Sequence, residues 1–319
     1  MKVLIVGGAG FIGSHLTKFH LEKKDDVVVI DNLLTGSYEN IKDFLKNKRF
    51  QFINDDILTF NFSLLTFNFD LIYHLASPAS PNHHSPISYH SLPRETMLVN
   101  TQGTFKLLDL AKKHQAKFLF ASTSEVYGNP LIHPQKETYF GNVNPIGPRA
   151  VYDEAKRFAE TIVSYYWRKE KVDARIARIF NTYGPKMRID DQRMVVNFIR
   201  QALKNEPITI YGSGKQTRSL CFIDDLVDGL YKLMTEKNTN QQVVNLGNPE
   251  EHTVLEYAQV IKKLTNSKSK IIFKEPLPVD DPEKRQPDIS KAKKLLNWQP
   301  KTNLEDGLKI TINYYKNLL

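Results

Sequence analysis

The chain of 319 residues has a single cysteine, Cys221. That excludes an internal disulfide and a cysteine-cluster zinc site, and it suits a reducing compartment. No run reaches the roughly 18 apolar residues of a membrane span, so none is expected. The apolar start, residues 1–6, could open a signal peptide. It dissolves at once into Gly7-Gly8-Ala9-Gly10 with no polar cleavage region behind it, so secretion is not expected. Repeats and low-complexity tracts are missing as well. So is a basic arm: 44 Lys and Arg against 35 Asp and Glu leave a net charge of +9, but the lysines are scattered, as at Lys42, Lys46, Lys48, Lys112 and Lys113. Charge of this kind serves an anionic small substrate or a nucleic acid and does not choose between them.

What is present is alternation. Apolar runs at 3–6, 27–30, 50–53, 71–75, 118–121 and 175–179 read as strands buried on both faces. Helical patterns at 12–23, 97–113 and 151–169 fall between them. Strand and helix in turn predict a parallel, doubly wound α/β sheet. After residue 180 the texture changes to turn-rich segments at 181–185 and 211–214. A proline- and charge-rich stretch follows at 275–285, and a last helical pattern at 290–296. This part reads as a smaller second domain over the carboxyl edge of the sheet.

Gly7, Gly10 and Gly13 sit between the first strand and the first helix. Glycines there allow a tight turn, let the backbone approach a pyrophosphate at the helix N-terminus, and let that helix pack closely. The pattern predicts a Rossmann-type dinucleotide site that includes Phe11 and Ile12. Asp31 ends the second strand, where a carboxylate binds the adenosine ribose hydroxyls and repels a 2′-phosphate. NAD is therefore favoured over NADP. Asn32, Thr35 and Gly36 follow in the same loop, and Asp56 and Ile57 after the third strand are placed to meet the adenine.

Tyr152 and Lys156 are one turn apart on a predicted helix. An ammonium beside a phenol stabilises the phenolate, which suits a general base for an alcohol. Ser122-Thr123-Ser124-Glu125 closes the fifth strand, at the carboxyl end where doubly wound sheets bind ligands. His83-His84 is read as a solvent-facing pair, and no metal is expected.

Gly-Gly-Ala-Gly-Phe-Ile-Gly (7–13), Ser-Thr-Ser-Glu-Val-Tyr-Gly (122–128) and Tyr152-x-x-x-Lys156 together resemble the extended short-chain dehydrogenase/reductases of nucleotide-sugar metabolism. The stretches 74–81, 144–149, 178–185, 211–218 and 245–252 narrow the resemblance to UDP-glucuronate decarboxylases (UDP-xylose synthases) over nearly the whole chain. The resemblance implies an NAD-binding Rossmann domain at 1–180, with 216–250 returning to it. It implies a nucleotide-sugar-binding domain at 181–215 and 251–319. Leu75, Ala76 and Ser77 would join the cofactor site with Tyr152 and Lys156. Tyr152 would take the C4 hydroxyl proton as hydride leaves for NAD⁺, and Thr123 would bind that oxygen. The resulting β-keto acid would lose CO2, Glu125 would orient the sugar and assist protonation at C5, directly or through a water, and hydride would return to C4. Asn181 and Arg193 would bind the diphosphate with Arg218, Tyr211 would pack near the uracil, and Arg285 would contact the sugar or its carboxylate.

Position 124 separates activities. Related 4,6-dehydratases carry an aspartate there as the acid that expels water; this chain has Ser124, and decarboxylation needs no such acid. Glu125 counts against the 4-epimerases. Two features depart from the decarboxylase pattern. The loop at 82–94 is longer, and Leu98 replaces a basic residue that reaches the substrate, with Arg94 one turn earlier as a substitute. They keep another NAD-dependent nucleotide-sugar enzyme, a 4-epimerase or dehydratase, as the alternative, and a non-catalytic nucleotide- or RNA-binding protein as a remote one. The family's dimer would pair the helices at 97–113 and 151–169. A UDP-sugar substrate, a homodimer, no nucleic acid, no membrane and a cytoplasmic location complete the expectations.

Overall fold

The computed structural model describes residues 1–274, 281–282 and 284–319. Residues 275–280 and 283 of the proline- and charge-rich stretch lie outside them. Six strands alternate with helices in the first half: β1 (Lys2–Val6), β2 (Asp26–Ile30), β3 (Phe50–Ile53), β4 (Leu71–His74), β5 (Lys117–Thr123) and β6 (Ala174–Ile179), with α1 (Phe11–Glu22), α2 (Pro93–His114) and α3 (Ala150–Tyr165). The second half carries β7 (Thr182–Tyr183), α4 (Met194–Leu203), β8 (Ile208–Tyr211), β9 (Thr217–Ser219), β10 (Cys221–Phe222), α5 (Ile223–Thr235), β11 (Val243–Leu246), β12 (Glu251–Thr253), α6 (Val254–Leu264), β13 (Ile271–Lys274), α7 (Ser290–Leu296) and α8 (Leu304–Lys316).

The main sheet has seven parallel strands in the order β11-β6-β5-β4-β1-β2-β3. Its inner strands are apolar without a break because both faces are covered. In β1, Val3 and Ile5 enter one core while Leu4 and Val6 enter the other. Leu16 of α1 and Leu226 and Leu230 of α5 fill the first core; Leu107 of α2 and Ile162 of α3 fill the second. Burying each such side chain contributes about 1.5–3 kcal/mol.

Helix α5 and strand β11 return to this layer, as the parallel pairing of Val243–Leu246 with β6 shows. Two-stranded pairs (β10 with β7, β12 with β9, β13 with β8) and α4, α6 and α8 build the outer lobe. Trp298 pins the C-terminal segment to the sheet layer. Its indole N–H donates to the Asp225 carbonyl at 3.0 Å, while the Asp225 carboxylate accepts the backbone N–H groups of Lys301 and Thr302.

Two helix boundaries differ from expectation. The helix expected at 97–113 begins at Pro93, whose fixed φ suits a first helical turn. The helix expected at 151–169 is α-helical only to Tyr165 and closes with a π turn, Tyr166–Glu170. Strand order reverses between β1 and β4, so a crevice opens at the carboxyl ends of these strands, where α/β sheets bind ligands.

Candidate active site

Two cavities of about 330 and 410 Å³ meet in that crevice and share Phe11, Ile12, Leu75, Ser77, Ala121 and Arg193 on their walls. The first is walled by Gly7, Gly10, Gly13, Asp31, Asn32, Thr35, Asp56, Ile57 and Ala76. Its floor admits no larger residue. Gly7 has φ +84°, and a Cβ there would lie 2.6 Å from the Ala76 nitrogen. A Cβ on Gly13 would stand 2.1 Å from the Gly7 carbonyl oxygen. Gly10 caps α1 without any side-chain hydrogen bond, which leaves the first N–H groups of the helix to a phosphate.

Asp31 accepts the Ala9 N–H at 2.9 Å and the Leu33 N–H at 2.8 Å, and burial raises its pKa. Gly36 stands behind it rather than on the wall: a Cβ there would touch the carboxylate at 2.9 Å. Asn32 donates to the Asp56 carboxylate at 3.1 Å. A glycine cradle, an uncapped helix start and a carboxylate at the strand end fit a dinucleotide with free ribose hydroxyls.

The second cavity holds Thr123, Ser124, Glu125, Tyr152, Lys156, Asn181, Arg193, Tyr211 and Arg218 on its walls. Thr123 Oγ1 accepts the Glu125 N–H and starts the turn that aims Glu125 inward. Burial pushes the Tyr152 phenol well above its ordinary range, only partly offset by the neighbouring Thr123 side chain and the charge of Arg193. This corrects the expectation that Lys156 would lower it. Lys156 Nζ instead donates to the Ala121 carbonyl at 2.8 Å, lies 4.8 Å from the Phe120 ring centroid, and is itself pushed down to about 7 by burial.

Glu125 is clamped. Arg149 approaches one oxygen at 2.7 Å, and Arg285 reaches both at 3.3 Å. Burial alone would raise the carboxyl, but the charges of Arg285 and Arg149 outweigh it and hold the pKa at about 2. Held ionised, Glu125 has no carboxyl proton of its own to give, so only the water-mediated form of its expected help at C5 is compatible with this geometry. Arg285 is 1% exposed and backs Glu125, also donating to the Gly128 carbonyl, instead of lining the cavity as expected. Arg218 and Arg149 share the Asp281 carboxylate at 2.8 and 3.2 Å. Arg193 is held bidentately by Asp191 at 2.7 and 3.0 Å.

Arg149, Asp281 and Tyr89 are wall residues that the sequence did not single out. Only Arg149 had a signal, standing one turn before Tyr152 in a stretch that carries the resemblance. Leu98 and Arg94 both face the first cavity, since α2 starts early enough to align them. His83 and His84 line the second cavity rather than facing solvent alone, and the His83 ring stacks on His90 with centroids 3.6 Å apart. Among the described residues no three His, Cys, Asp or Glu cluster as metal ligands, and no helix is long and apolar enough to cross a membrane.

A Rossmann-type layer, a glycine cradle with its carboxylate and a Thr-Tyr-Lys constellation in the adjoining cavity define an NAD-dependent nucleotide-sugar enzyme of the extended short-chain dehydrogenase/reductase class. Residues 4–311 match the family model described as GDP-mannose 4,6 dehydratase. UDP-glucuronic acid decarboxylase 1 of Arabidopsis thaliana is 50% identical, covering 99% of this chain and 70% of its own. UDP-glucuronic acid decarboxylase 3 of the same plant is 51% identical, covering 97% and 87%. The solved UDP-glucuronic acid 4-epimerase of Bacillus cereus, in complex with UDP-glucuronic acid and NAD, superposes with a TM-score of 0.88 at 33% identity over the full length of both chains. The chain belongs to the GDP-mannose 4,6-dehydratase family and, within it, to the UDP-glucuronic acid decarboxylases.

Proposed function

We propose that the protein converts UDP-glucuronate to UDP-xylose by oxidation at C4, loss of CO2 and re-reduction at C4. The observation that carries this reading is the wall beside Tyr152. It offers Thr123, a neutral Ser124 and an arginine-clamped, ionised Glu125, so it can bind and oxidise an anionic sugar but has no acid at 124 to expel a hydroxyl. NAD, when bound, supplies the hydride acceptor at C4 and returns the hydride there.

The chain's own residues do the rest. Tyr152, beside Thr123 on the same wall, takes the proton of the C4 hydroxyl and later gives it back. Burial holds that proton tightly in the free protein, so the base forms only when a cationic neighbour draws the phenol down. Lys156 is buried, with Nζ 5.7 Å from the Tyr152 ring centroid, and anchored on β5. Once C4 is a ketone, the C6 carboxylate is β to it, and the electron pair released with CO2 delocalises onto the C4 oxygen held by Thr123 and Tyr152. Arg193 and Arg218, each oriented by a carboxylate, offer positive charge and their remaining N–H donors to the diphosphate, with Asn181 and Tyr211 on the same wall. Arg285 acts by holding Glu125, and Glu125 accepts sugar hydroxyls.

A second reading is 4-epimerisation of the same uronate, favoured by the full-length superposition on the Bacillus cereus 4-epimerase. Incubation with UDP-glucuronate labelled with ¹³C at C6 separates the two. Labelled CO2 with a UDP-pentose supports decarboxylation; an unchanged nucleotide-sugar mass with altered C4 stereochemistry supports epimerisation.

We further propose a homodimer through α2 and α3, in a reducing compartment such as the cytoplasm, which the buried Cys221 suits. The two helices pack together and expose Met97, Phe105, Phe158 and Tyr165, 39–52% open. The sheet layer would bind the cofactor, and the outer lobe the nucleotide sugar.

A further inference from the structure

Decarboxylation of a uronate leaves a step with no evident agent. When the C5–C6 bond breaks, its electron pair enters an enolate across C4 and C5, and C5 must then receive a proton. Glu125 is ionised between Arg149 and Arg285. Thr123 Oγ1 accepts the Glu125 N–H, and its hydroxyl is far too weak an acid for the task. Lys156 donates to Ala121, and the arginines on the wall are held by carboxylates.

Tyr89 is different. It is 1% exposed, it lines the sugar-side cavity, and its hydroxyl has no hydrogen-bond partner in the protein. A buried tyrosine hydroxyl ordinarily finds one. Its ring lies almost parallel to that of Tyr152, at 10°, with centroids 5.0 Å apart. The charges that act on it most strongly are those of Arg149 and Glu125. Its ring therefore lies beside that of the residue that addresses C4, on the same cavity wall.

The placement is built. Tyr89 N–H donates to the Ser80 carbonyl at 3.2 Å. The rest of the loop is tied to the turn that precedes Arg193. Ser80 Oγ donates to the Asp191 carbonyl, Ser85 Oγ to that of Asp190, and Asn82 to that of Gln192, at 3.0, 2.7 and 3.2 Å. The long 82–94 loop thus hangs between the two lobes and carries Tyr89 into the cavity.

We propose that Tyr89 is the acid that protonates C5 after CO2 has left, a step that rests on the decarboxylase reading above. The enolate pair takes the Tyr89 hydroxyl proton, C5–H forms, and the tyrosine is left as phenolate. One proton from solvent restores it. Conversion of a carboxylate to CO2 and a C–H bond consumes one proton, so the balance closes. Burial holds the phenol proton more tightly than usual, but an enolate carbon is a far stronger base than a phenolate, so the transfer runs downhill.

The test is Tyr89→Phe, which removes an oxygen without a partner and leaves the stacked ring. Its Tm should match the wild type. The readout is C5 hydrogen exchange of the UDP-4-keto-pentose in D2O, catalysed by NAD-loaded protein. The variant should lose about 100-fold or more of this exchange. Calorimetric affinity for UDP-glucuronate and NADH-dependent reduction of the same keto sugar should both stay within about threefold. Wild-type exchange in the variant overturns the proposal. Parallel loss of exchange and C4 reduction also overturns it, since Tyr89 would then only support Tyr152. Loss of exchange in Ser124→Ala or His83→Ala with Tyr89→Phe unaffected assigns the proton to another wall residue. Wild-type protein that releases no CO2 from UDP-glucuronate refutes the underlying reading instead.

Discussion

Two residues on one wall differ sharply in what their substitution should do. Tyr152→Phe keeps the ring, its packing on Tyr89 and the fold, and removes only the oxygen that handles the C4 proton. Turnover should fall by about 10³-fold or more, with the calorimetric Kd for UDP-glucuronate unchanged. Unchanged turnover would refute its role as base. Glu125→Gln acts on stability as well. It strips the partner from two buried guanidiniums, and the loss should be about 3–5 kcal/mol by denaturant titration. The sign with pH follows from the depressed pKa of Glu125. Its stabilisation is full above its unfolded pKa of about 4.5 and is lost as pH falls through its folded value of about 2. The variant should lack that part of the acid-side loss; an identical acid profile would mean that the clamp contributes nothing.

At the scale of elements, the glycine turn and its helix were readable because backbone proximity leaves a mark in the sequence. Gly13→Ala should abolish NAD binding, measured by fluorescence titration, because its methyl would meet the Gly7 carbonyl. Retained affinity would mean the cradle can open. The sheet strands were equally readable, since strands covered on both faces have apolar runs. The start of α2 was missed because Pro93-Arg94-Glu95-Thr96 shows no apolar period, although proline at a first helical turn is itself a start signal. Helical spacing placed Tyr152 and Lys156 on one face but could not reveal that the lysine ammonium donates a hydrogen bond to the β5 carbonyl of Ala121. Arg149, Asp281 and Tyr89 were illegible for a related reason. They come from the start of α3, the C-terminal segment and a loop after β4, and only the fold assembles them around Glu125.

At the scale of the whole molecule, the sheet layer carries the glycine cradle and the Thr-Tyr-Lys constellation, and two cavities meet at its carboxyl edge. The apolar stripe on α2 and α3 lies on the far side of that layer from the α1 and α5 core. Phe158→Glu should therefore shift the protein from dimer to monomer in light scattering while leaving its circular dichroism intact. A wild-type monomer would remove the proposed interface. The central claim is that one site oxidises C4, releases C6 as CO2 and reduces C4 again. The most direct measurement is the NMR spectrum of the product formed from UDP-glucuronate and NAD⁺ in D2O. The account predicts a UDP-pentose with one deuterium at C5 and protium at C4. A UDP-hexuronate with C6 intact, or a pentose without deuterium at C5, would contradict it.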